Sequence, residues 1–143
     1  MPSFVKTSGG NGLHVVAPLK PKAAWPAVKA FTKNIADAMA SDSPERFVAT
    51  ITKSKRRGKI LVDYLRNGRG STAVAAYSTR ARAGASVSMP LAWDELGPGL
   101  GPSYFTVDNT PTRLTHLSAD PWADFRRAAE PLAAAKSGPK RAA

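Results

Sequence analysis

Three groups of residues in this 143-residue chain have the types and spacing to do chemistry. The first is Asp63, which interrupts the apolar run Ile60-Leu61-Val62-Asp63-Tyr64-Leu65. In an extended chain Leu61 and Leu65 would share its face. A carboxylate buried among such neighbours without a partner costs on the order of several kcal/mol, so it needs a cation, donors or a metal. An ion pair with a nearby arginine is the ordinary solution. A carboxylate facing a basic cleft is also how Mg²⁺ or Mn²⁺ is held for phosphoryl transfer. The second group is Thr7-Ser8-Gly9-Gly10-Asn11-Gly12-Leu13-His14. A glycine-rich turn leading into a strand can aim backbone N–H groups at phosphate, and Ser8 and His14 bracket it with side-chain donors. It is no Walker A loop, because no Gly-Lys-Ser/Thr follows and no helix begins there. A plain structural hairpin would read the same way. The third group is basic. Arg56 precedes Asp63 by seven residues and Arg80 follows it by seventeen, with Arg57, Arg66, Arg69 and Arg82 around them. Guanidinium groups grip a triphosphate or a nucleic-acid backbone by paired hydrogen bonds that lysine cannot match. A solvated basic face is the alternative.

The charge distribution favours a polyanion. Lys and Arg number 21 against 10 Asp and Glu, a net charge of +11. Residues 46–91 hold ten bases and one acid, whereas residues 92–132 hold three bases and six acids. Such a one-sign block points to nucleic acid or nucleotide phosphates. There is no cysteine, which excludes disulfides, thiolate nucleophiles and cysteine-ligated zinc. The two histidines, His14 and His116, are too far apart in sequence for a histidine-rich metal site. No nucleophilic triad is legible, His116 reads as a surface residue, and adjacent Asp94 and Glu95 make a poor acid–base pair. Trp93 and Trp122 read as core residues rather than base-stacking platforms. No apolar run approaches the ~20 residues of a membrane span and no secretory segment opens the chain, so a cytoplasmic, non-membrane protein is expected.

The elements that must position these groups are short, because Gly and Pro together number 23. Phe4–Lys6 reads as a short extended piece and 13–17 as a mostly buried strand ended by Pro18. Trp25, Val28, Phe31, Ile35 and Met39 recur at helical spacing and predict a helix over 24–40, with Pro26 in its first turn. Ser41-Asp42-Ser43-Pro44 stops it and suggests a short helix at 44–49. Strands are expected at 60–65, central in a sheet, and at 72–77, paired as a hairpin. Residues 78–90 read as an irregular basic connection, 91–96 as one helical turn, 104–107 as a short strand. A final helix is expected over 121–135, with Asp120 as its N-cap. The tail 136–143 reads as flexible.

Taken together, three blocks resemble one family. They are KTSGGNGLHVVAPL, then RRGKILVDYLRNGRGSTAVAAYSTRARAGASVSMPLAWDEL, then DPW. Their order and spacing are similar to the C-terminal half of the polymerase domain of bacterial DNA ligase D, in the archaeo-eukaryotic primase superfamily, from about Phe4 to about Phe125. The resemblance implies an α/β fold with a mixed central sheet and flanking helices, in one partial domain over 1–135. It implies template-directed nucleotide addition at DNA ends in non-homologous end joining, with Mn²⁺ or Mg²⁺. It implies DNA ends and nucleoside triphosphates as ligands, with Ku and a ligase domain as partners. Its site residues carry over to Ser8 and His14 on the triphosphate, Arg56 and Arg80 on the nucleotide and its phosphates, and Asp63 as a metal carboxylate. Asn11 and Asn67 lie in the same strings.

Two departures bear on activity. The family usually carries Lys where this chain has Asn11, and losing a charge-assisted contact is worth about 1.5–3 kcal/mol. The family's acidic D-x-D pair, which precedes the glycine-rich segment, has no counterpart: no D-x-D occurs among the 143 residues. The expectation is a truncated or split member with little or no activity alone. The competing expectation is a non-enzymatic DNA- or nucleotide-binding module built on the basic block 46–91.

Overall fold

The computed structural model describes residues 1–132. The expected tail at 136–143 and the last residues of the expected final helix lie outside them. The elements in chain order are β1 (Phe4–Thr7), β2 (Leu13–Val16), α1 (Trp25–Asp42), β3 (Phe47–Val48), β4 (Ile60–Leu61), β5 (Pro90–Leu91) and α2 (Thr110–His116). Single 3-10 turns lie at Lys53–Arg56 and Trp93–Glu95. The chain forms two compact units, one of Met1–Lys20 with Val74–Glu130, the other built on Pro21–Ala73. The expected α/β class holds. Antiparallel and parallel pairings both occur, in two separate small sheets.

The first unit carries the antiparallel sheet β2-β1-β5. β1 is its middle strand, with Lys6 opposite His14 on one side and Pro90 on the other. Alternation along β1 explains its position. Val5 enters the apolar cluster of Val87, Met89, Leu91 and Phe105, with Leu96 and Leu100 packed against it. The segment 86–91 is the surprise. Read as an irregular basic connection, it is wholly buried. Val87, Met89 and Leu91 face the core in a period of two, and Ser86, Ser88 and Pro90 alternate with them. Pro90 is tolerated because β5 is an edge strand. β2 forms where expected but is not mostly buried, since Val15 is 64% exposed. Trp122 stacks on Phe125 at 4.9 Å and meets Phe4 edge-on, its indole N–H donating to the Val5 carbonyl. Trp93, expected in the core, is 48% exposed and donates to the Ser3 carbonyl.

Two further expectations fail in this unit. From Pro121 the chain makes successive turns rather than an α-helix, although Asp120 Oδ1 does accept the Trp122 amide as an N-cap would. The helix lies instead at α2, started by Pro111 and preceded by Asn109, whose side chain bonds Thr106 N and Tyr104 O. Residues 104–107 form no strand, only a bridge from Thr106 to Ser86. The turn expected at 91–96 is present at Trp93–Glu95, and Arg113 ties it to α2 through paired bonds to Glu95. That ion pair holds the Glu95 carboxyl below its ordinary pKa.

The second unit packs α1 beside the two-stranded parallel sheet β3–β4. α1 runs one residue shorter at its start and two longer at its end than expected, with Pro26 in its first turn. Ala36 is its one buried residue, while Trp25 and Ile35 stay 53% and 43% exposed. No helix forms at 44–49; a turn there leads into β3. The 60–65 strand is only two residues long, and the strand and hairpin expected at 72–77 are absent. β4 has β3 as its single neighbour among the described residues, and the pairing ends where the Val62 amide donates to the Val48 carbonyl. Tyr77, with φ of 62°, turns the chain so that its amide meets the Ser88 carbonyl.

Candidate functional site

Ser8, Asn11, His14 and Arg80 fall in the first unit, and Arg56, Asp63 and Asn67 in the second. In the first, the antiparallel pairing of β1 and β2 throws residues 8–12 into a tight loop. Ser8 holds it shut: its Oγ accepts the Gly10 and Gly12 amides, each at 3.1 Å, and its own amide reaches the Gly12 carbonyl. Gly9 N donates to the Pro102 carbonyl. The loop therefore spends three of its amides internally, which corrects the expectation of a bare amide cradle for phosphate. As an acceptor of both bonds, the Ser8 hydroxyl keeps its one proton to donate. Asn11 is exposed at the loop's tip, and His14 is half-buried on β2.

The cation at this loop is Arg80. Its Nη1 donates to the Ser8 carbonyl at 3.0 Å, and its backbone pairs with Ser86. Beneath lies Lys6, 4% exposed, its Nζ donating to Val74 O and Ser88 Oγ. Burial, and then the Arg80 charge, pull the Lys6 pKa down to about 8. Sequence reading passed over Lys6; its signal was a lysine alternating with Val5 and Thr7 in a strand. No carboxylate neutralises this cluster among the described residues. Glu95 is engaged by Arg113, Asp124 by Arg127, Glu130 by the N-terminus and Asp120 by the Tyr77 hydroxyl.

Gly9 carries the loop's left-handed backbone. Its φ is +62°, and a Cβ there would sit 2.9 Å from Arg80 Cγ and 3.3 Å from Ser86 Oγ. Gly9→Ala is expected to cost about 1–2 kcal/mol for the left-handed backbone and to displace Arg80. Urea unfolding measures the first effect; unchanged stability would refute it.

In the second unit Arg56 closes the 3-10 turn, and its Nε is buried without a hydrogen-bond partner. A bound water or a bound anion would satisfy such a donor. Asp63 contradicts its expected setting. It lies beyond β4, exposed, and its Oδ1 accepts the Leu65 amide at 2.9 Å. The carboxylate thus closes a local turn rather than sitting in an apolar strand, so burial imposes no demand for a cation. Asn67 likewise works locally, its Nδ2 donating to the Tyr64 carbonyl. Among the described residues no three His, Asp or Glu gather where they could hold a metal ion. A two-cation site needs several carboxylates around ions ~3.5–4 Å apart, and this donor set does not fit one.

Comparison with known proteins adds an independent line. The family model described as LigD, primase-polymerase domain, matches residues 1–122. The chain is 44% identical over 134 residues to the multifunctional non-homologous end joining protein LigD of Pseudomonas aeruginosa, covering 93% of this chain and 16% of that protein. It is 34% identical over 135 residues to the bifunctional LigD of Bacillus subtilis, covering 92% of this chain and 22% of that protein. Among solved structures it is similar to the polymerase domain of Mycobacterium tuberculosis ligase D in complex with DNA. That match has a TM-score of 0.77 and 30% identity, over 89% of this chain and 44% of the other. The chain thus spans less than a quarter of the length of these two curated relatives. No helix among the described residues is long and apolar enough to cross a membrane.

Proposed function

The chain belongs to the LigD primase-polymerase domain family, and from that membership we propose that it carries the phosphate-binding part of a polymerase acting at DNA ends in non-homologous end joining. The family is a metal-dependent nucleotidyltransferase. By family resemblance, Ser8 and His14 in the first unit meet the triphosphate of an incoming nucleotide and Arg80 neutralises its phosphates; in the second unit Arg56 is a phosphate ligand, and Asp63 would be a carboxylate toward Mn²⁺ or Mg²⁺ when the ion is bound. Asn11 and Asn67 belong to the same sequence strings as these residues. DNA ends, nucleoside triphosphates, Ku and a ligase domain are the partners. The partial domain spans 1–135, followed by the basic tail 136–143. The family match favours this reading over a non-enzymatic binding module on the basic block.

The observation that carries it is Arg80, which bonds the Ser8 carbonyl beside a buried lysine, neither of them in an ion pair among the described residues. Such a site attracts phosphate. Chemistry is a different matter, because the donors for two cations are not assembled among the described residues. The 143-residue chain is therefore expected to bind ATP yet give no template-dependent extension with Mn²⁺. Arg80→Ala should weaken ATP binding by about tenfold, the worth of one charge-assisted bond. Asp63→Ala should abolish any increment that Mn²⁺ adds. Titration calorimetry and a primer-extension assay provide the check. Extension by rigorously purified chain, or equal ATP affinity in Arg80→Ala, overturns the proposal.

A further inference from the structure

We propose that the outer edge of β2 is a docking edge, where a strand from the rest of a LigD polymerase fold adds to the sheet β2-β1-β5. β2 is then an interior strand of the assembled domain. The inference rests on family membership and on none of the phosphate contacts proposed above.

The hydrogen-bond pattern shows which backbone groups are open. In an antiparallel pair, hydrogen-bonded and non-hydrogen-bonded residue pairs alternate. Ser8 N donates to the Gly12 carbonyl, while Thr7 N turns the other way, to the Met89 carbonyl. Thr7 stands opposite Leu13, Lys6 opposite His14, Val5 opposite Val15 and Phe4 opposite Val16. The alternation therefore commits the backbone of His14 and Val16 to β1 and turns the N–H and C=O of Leu13 and Val15 outward. Among the described residues β1 is the one strand paired with β2, so that outward row meets no strand.

The side chains tell the same story. Leu91, Val5 and Val15 are cross-strand neighbours on one face of the sheet. Leu91 is 1% exposed and Val5 0%, but Val15 is 64% exposed. Adjacent strands lie about 4.8 Å apart, so the apolar layer of Val87, Met89 and Phe105 stops within one strand spacing. Leu13, opposite the fully buried Thr7, is 43% exposed. An edge meant for solvent is normally blocked by a charge, a proline or a bulge. Leu13-His14-Val15-Val16 contains no Lys, Arg, Asp, Glu or Pro, and its register with β1 runs unbroken through four pairs. This is the make-up of a strand with a neighbour on each side.

The occupant follows from similarity and charge. The solved polymerase domain of M. tuberculosis ligase D matches 89% of this chain, yet the match covers only 44% of that domain. More than half of that fold lies outside the matched part, whether it is joined to this chain or carried by another polypeptide. A second copy is the poorer occupant, because pairing β2 with β2 would bring together two chains of net charge +11. Strand addition draws affinity from main-chain bonds and specificity from alternate side chains, here the apolar pair Leu13 and Val15.

The test co-expresses the full chain with the remaining part of the P. aeruginosa LigD primase-polymerase domain, each under its own tag. The two should co-purify one to one. Hydrogen exchange at the Leu13 and Val15 amides, fast in the chain alone, should slow by about tenfold or more in the complex. Val15→Lys places a charge on the uncovered face, and Val15→Pro removes an outward N–H without touching a bond to β1. Each should cut recovery of the partner by about tenfold or more, with the circular dichroism of the chain unchanged. Failure to co-purify overturns the inference, as do Leu13 and Val15 amides already slow in the monomeric chain. Dimers of the chain that protect the same amides assign the edge to a second copy and overturn it too. Wild-type recovery by Val15→Pro overturns strand pairing. None of these readouts involves ATP, so their failure leaves the phosphate-binding proposal standing.

Discussion

Met89→Ala is expected to destabilise the first unit by about 2–5 kcal/mol, the range for emptying a buried long side chain. Met89 is fully buried between Val5, Val87, Leu91 and Phe105, and those five side chains are the whole buried apolar cluster. Typical domains hold about 5–15 kcal/mol in total, so the loss takes a large share. Backbone bonds would suffer too, because Thr7 N and Thr7 Oγ1 clasp Met89 O and N at 2.9 Å. Met89→Leu, which conserves volume, should cost less than about 1.5 kcal/mol. Urea unfolding followed by tryptophan fluorescence reads the unit through Trp93 and Trp122. Equal midpoints for Met89→Ala and wild type would falsify the packing described here.

The second large effect is a stability that climbs with pH. Folding lowers the Lys6 pKa from 10.5 to about 8, chiefly by burial and then by Arg80. Between these values the unfolded chain binds a proton that the folded chain has released, so stability rises with pH across that window. Below about pH 8 the fold must carry a buried ammonium. At 1.36 kcal/mol per pH unit that burden is on the order of 3 kcal/mol. The groups facing Lys6 are Arg80, His14 across the strand pair, Ser88 Oγ and the Val74 carbonyl. Lys6→Met removes the charge and should flatten the rise between pH 8 and 10.5 relative to wild type. Parallel pH profiles for the two proteins would show that Lys6 is not the source.

Local patterns were legible where the chain itself supplied the constraint. The helix over Trp25–Asp42 follows from apolar spacing and Pro26 in its first turn. β2 and the glycine-rich loop before it were equally plain. The failed strand expectations share one cause: they depend on which strand a segment finds as a neighbour. The 86–91 segment alternates apolar and small polar residues, yet Pro90 read as a terminator until β5 proved to be an edge strand on β1. Val62–Leu65 looked like the continuation of a central strand. Among the described residues it finds only the Val48 carbonyl, which accepts the Val62 amide, and Asp63 closes a turn in solvent instead.

Family membership was carried by the order of motifs along the chain, because motif spacing is a one-dimensional quantity. Whether a glycine is needed for its φ or for the group above it is not one-dimensional. Gly9 and Gly10 look alike in sequence. One turns left-handed beneath Arg80, and the other keeps a φ that any residue adopts. The burial of Lys6 and the solvent exposure of Asp63 likewise reversed what neighbouring residues suggested. Burial is set by segments that arrive from some 70 to 80 positions away, as Val74 and Ser88 do at Lys6, and no local pattern records their arrival.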